Sequence, residues 1–99
     1  MTDLRVRATA LRMTDDHFLG WIEVVVEDAE GRSHHIVEKV PVLTEDDLRA
    51  DSVFPVELWL SGHIEHADSQ KVTLTLDSGV ETVDGLGRLT VRTQDVRWP

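Results

Sequence analysis

Apolar and polar residues alternate along most of this chain, and a period of two marks a half-buried strand. Leu4, Val6, Ala8 and Ala10 alternate with Arg5, Arg7 and Thr9. After Ala10 the phase shifts to Leu11 and Met13, which predicts a bulge or a bend. Thr14-Asp15-Asp16-His17 reads as a loop. A second strand over Gly20 to Asp28 puts Ile22, Val24 and Val26 on one face and Trp21, Glu23, Val25 and Glu27 on the other. Ala29-Glu30-Gly31-Arg32 is a tight turn in which Gly31 supplies a positive φ, and Ser33 to Val42 returns as a third strand. These two strands form a hairpin.

The alternation then breaks. Thr44 stands where an N-cap would, with Asp47 three residues on and Leu43 and Leu48 at the staple positions, so a short helix is expected near 45–50. A fourth strand, Val56 to His66, and a fifth, Lys71 to Asp77, flank the turn Ala67-Asp68-Ser69 as a second hairpin. Val80 to Val83 reads as a short edge strand or a loop, and Asp84-Gly85-Leu86-Gly87 as a turn. A last strand runs from Leu89 to near Trp98. Parallel pairing needs long crossovers that these short connections do not supply. The expected fold is therefore all-β: one domain over 1–99, an antiparallel six-stranded barrel or sandwich, with one short helix near 45–50.

Charge narrows the function. The net charge is −9, from 19 acids and 10 bases, so the surface repels phosphate and anionic lipid. Neither a nucleic-acid partner nor a membrane is expected. No apolar run approaches the roughly 18 residues of a membrane helix. The start Met1-Thr2-Asp3-Leu4-Arg5 has no apolar leader core, and no cysteine is present, so a cytoplasmic setting is expected. The charge is also uneven. Arg5, Arg7 and Arg12 at one end, and Arg88, Arg92 and Arg97 at the other, outnumber nearby acids, while the middle of the chain is acidic.

Few residues suggest chemistry. His63 and Glu65, with His34 or His35 from a neighbouring strand, could hold a divalent metal. Adjacent histidines on a strand point to opposite faces, as do His63 and His66, so each pair offers one ligand per face. Glu57 with Glu65, or Glu23 with Glu27, could share a face, but nothing marks either carboxyl for the raised pKa of a general acid. No serine stands in a nucleophile elbow. Gly85-Leu86-Gly87 lacks the third glycine and following helix of a dinucleotide site. No cofactor and no catalytic residue is expected.

The tryptophans carry more. Trp21 and Trp59 lie opposite the aliphatic stripe of their strands, where an indole covers a barrel end, belongs to a second apolar layer, or offers an interaction surface. If the first and last strands are neighbours, Arg5, Arg7, Arg88 and Arg92 form an arginine stripe able to meet the acidic middle of a second copy.

Gly20-Trp21-Ile22-Glu23-Val24, Asp28-Ala29-Glu30-Gly31-Arg32 and Val37-Glu38-Lys39-Val40-Pro41-Val42 together resemble a group of small uncharacterised bacterial all-β proteins. The resemblance covers about 40 residues. It implies the hairpin and no activity, cofactor or site residue. The expected function is a non-catalytic protein-interaction domain, an acidic inhibitor or immunity-type protein, an accessory protein, or a homodimer. It would use Trp21, Trp59, Glu23, Glu57, Arg5, Arg7 and Arg92. The alternative is a small-molecule or divalent-metal-binding β-barrel, with or without enzyme activity.

Overall fold

The computed structural model describes residues 3–17 and 19–99, so Met1-Thr2 of the leader reading lies outside it. Its seven strands are β1 (Leu4–Asp15), β2 (Trp21–Glu27), β3 (Ser33–Lys39), β4 (Val56–Ala67), β5 (Lys71–Leu76), β6 (Arg88–Arg92) and β7 (Val96–Arg97). They form one antiparallel sheet in the order β3-β2-β1-β4-β5-β6, with β7 beside β1. The expected all-β antiparallel fold is present as a curled six-stranded half-barrel.

The curl follows from how β1 is shared. Residues Leu4 to Ala10 pair with β4 along one edge. The other edge takes β2 from Thr9 onward and β7 at Arg5 and Val6. One strand thus joins the hairpin β2–β3, the run β4–β5–β6 and the end of the chain. The expected bulge lies at Leu11, where the β1–β2 register slips between Ala10 and Arg12. Both hairpins form, with Gly31 at φ 82° in the first. Two backbone bonds draw the hairpin β2–β3 toward the far side of the sheet: Ala29 N–H to the Thr90 carbonyl at 2.9 Å, and Val83 N–H to the His35 carbonyl at 2.8 Å.

The inward alternate positions build the core. Leu4, Val6, Ile22, Val24, Val26, Ile36, Val72, Leu74 and Val91 have no exposed surface. Each such burial contributes about 1.5–3 kcal/mol. The core therefore fills the concave side with side chains.

Three expectations need correction. One short helix exists, but α1 spans Val40–Leu43 rather than 45–50, and β3 ends at Lys39 rather than Val42. Pro41 suits a first helical turn and Val40 and Leu43 are buried, so the turn forms as soon as the strand stops. The Thr44 hydroxyl instead accepts the Asp46 N–H at 3.0 Å in a local turn. The last strand is split by a 3-10 turn at Thr93–Asp95, so β6 pairs with β5 and β7 with β1. Residues 80–83 form a loop.

Candidate interaction surface

The convex face carries the polar alternate positions. On it Trp59 of β4 pairs across the ladder with Arg7, and Arg5 pairs with Arg97 on its other side. The Arg97 guanidinium carbon lies 3.8 Å from the centroid of the Trp59 ring, and that of Arg7 lies 5.4 Å away. A cation at this distance is attracted by the negative face of the indole. The indole N–H donates to Glu57 Oε1 at 3.1 Å, so the half-buried ring has its polar atom satisfied.

Asp95 fixes this cluster from below. It is 7% exposed and receives Arg92 at 2.9 Å and Arg7 at 3.7 Å. Arg92 also reaches Glu27 at 3.2 Å. The expected arginine stripe is therefore redrawn. Arg5 and Arg7 gather with Arg97 because β7, not β6, lies beside β1. Arg92 joins through Asp95, and Arg88 faces Glu65 at 4.0 Å. Among the described residues Arg5 and Arg97 have no carboxylate within ion-pair distance, whereas Arg12, Arg32 and Arg49 each have one.

A furrow of about 330 Å³ runs beside this cluster. Arg5 of β1 and Glu57 and Trp59 of β4 line it together with Val42 of α1 and with Glu45 and Asp46 of the segment that follows. No ion pair crosses it among the described residues. Arg97 was missed by sequence reasoning. Its place in the basic end of the chain was visible, but its stacking on Trp59 depends on the split of the last strand.

Trp21 sits elsewhere on the convex face, paired with Asp15 and Lys39. The Lys39 ammonium lies 5.6 Å from its ring, and the residue is 36% exposed. Trp59 aligns with Arg7 and Trp21 with Asp15, so at about 3.3 Å per residue the two are roughly 25 Å apart along β1. They do not form one patch. Glu23 lies between Arg12 and His35, at 2.9 Å from each, and those bonds, Arg12 first, hold its carboxyl below the usual range.

The metal candidates do not converge. His34 and His35 are on β3, and His63 and Glu65 on β4, with β2 and β1 between. His34 bonds Asp28 at 2.7 Å, His35 bonds Glu23, and His63 bonds Asp77. His63 and Glu65 do line one shallow concavity with Asp77. Among the described residues Asp15, Asp16 and His17 have ligand atoms within 4.8 Å of one another. All three are exposed, and Asp15 already accepts both the N–H and the ring nitrogen of His17. An acidic concavity of about 900 Å³ lies between this loop and residues 44–51. Among the described residues no helix is long and apolar enough to cross a membrane.

Comparison with protein-family models, curated proteins and solved structures found no match.

Proposed function

We propose that this protein is a non-catalytic protein-interaction domain that meets its partner through the convex face around Trp59. The observation that carries this reading is the cluster of Arg5, Arg97 and Trp59: two paired guanidiniums that lack carboxylate partners among the described residues, one of them stacked on an indole, on a chain of net charge −9. Tryptophan and arginine are the residues most enriched among the energetic anchors of interfaces. A patch of positive charge on an acidic chain also selects partners by sign, favouring an acidic segment and rejecting a basic one there. The filled core supports a binding role over a ligand-holding barrel, since the interior is occupied by side chains. A reducing, cytoplasmic setting suits a chain without cysteine.

The test compares wild-type protein with Trp59→Ala/Arg97→Ala as baits, with captured partners identified by mass spectrometry. The expected outcome is one partner held by the wild type and lost from the variant, with both baits equally folded by circular dichroism. Equal retention by both baits removes this face from the reading.

A further inference from the structure

The furrow carries charges of both signs that form no ion pair across it among the described residues. Arg5 stands with Trp59 and Glu57 on the strand side, where Arg97 stacks on the indole and the indole N–H holds Glu57, and Glu45 and Asp46 stand in the segment after α1. Among the described residues Arg5, Arg97, Glu45 and Asp46 have no ion-pair partner within the chain. A surface carrying complementary charges side by side has one special property. A two-fold axis laid along the furrow brings the arginines of one copy onto Glu45 and Asp46 of the other, and the reverse at the same time. That is the requirement for an isologous dimer, in which one patch recognises itself.

We propose that this furrow is the surface through which two copies of this chain pair, with Arg5 and Arg97 of one copy facing Glu45 and Asp46 of its mate. The proposal rests on the interaction reading above and names the partner for that site. Trp59 and the partly exposed Val42 supply apolar contact, and the charged side chains beside them supply the polar contacts of the pairing. The net charge of −9 on each copy opposes approach. That long-range repulsion is largely screened beyond roughly 8 Å at physiological salt, while contacting pairs are screened less. Pairing is therefore weaker in very dilute salt than at physiological ionic strength.

Sedimentation velocity on the full chain tests this. The wild type is expected to sediment as a dimer. Arg5→Glu/Arg97→Glu and Glu45→Arg/Asp46→Arg are each expected to weaken pairing about 100-fold or more, because like charges then oppose across the axis. An equimolar mixture of the two variants is expected to recover the dimer, since each then presents what the other lacks. If reversal unfolds either chain, the neutral Arg5→Gln/Arg97→Gln and Glu45→Gln/Asp46→Asn replace them, each expected to weaken the dimer. A dimer unaffected by these changes, or a wild-type monomer, overturns the proposal. In the monomer case, quenching of tryptophan fluorescence by a polyglutamate peptide, lost in Arg5→Glu/Arg97→Glu, leaves the interaction reading standing with a different acidic partner. Absence of that response removes both.

Discussion

Gly62 shows how closely one residue can be held. It is buried in β4 opposite Leu4 and Leu76. A Cβ there would meet the Thr75 carbonyl oxygen at 3.0 Å and Leu74 Cδ1 at 3.1 Å. The carbonyl is backbone within the β4–β5 pairing and would have to give by a few tenths of an ångström. Gly62→Ala is expected to lower stability by about 1–3 kcal/mol through overpacking, read as a lower urea midpoint. Gly31 lies in a turn instead, where an added Cβ would meet nothing within 4 Å, so only its φ of 82° argues for glycine.

Among elements, β7 depends on a bond that no local pattern announces. Two residues pair with Arg5 and Val6, and they are aimed there by the turn at Thr93–Asp95. Asp95 is the buried acid of that turn, and its two arginines come from β6 and β1. Asp95→Asn keeps the shape and removes the charge. It is expected to cost about 1–2 kcal/mol, allowing for screening at the half-exposed arginines. Amide exchange at Val96 and Arg97 should accelerate before any other strand responds. The same contrast separates what the sequence made legible from what it hid. Both hairpins and the slip after Ala10 followed from alternation and turn residues, which act within a few positions. The helix was misplaced because Thr44 and Leu48 carry a good capping pattern, while Pro41 and the burial of Val40 and Leu43 decide the outcome one turn earlier. The gathering of Arg7 and Arg97 on Trp59, with Arg5 paired to Arg97, joins residues from opposite ends of the chain. Periodicity sorts faces, but it does not say which strands are neighbours.

For the whole molecule, acidity sets the range of conditions in which the fold persists. His34 first, then the N–H groups of Arg32 and Glu30, hold the Asp28 carboxyl below its ordinary value. Glu23 is lowered likewise by Arg12 and then His35. A carboxyl that binds its proton less readily folded than unfolded adds stability above its unfolded pKa, and that stability is lost as pH falls through the folded value. The urea midpoint is therefore expected to drop below about pH 4, in the carboxylate range. Asp28→Asn should be weaker at neutral pH and show a shallower acid decline. The meeting of β1 with β7 also bears on how the chain is made. A ribosome adding about 5–20 residues per second delivers β1 several seconds before β7 emerges. Until then the stretch of β1 around Arg5 and Val6 lacks its final neighbour on one side. The alternating guanidiniums of Arg5 and Arg7 keep that unfinished margin charged, which discourages chance annealing to other nascent strands.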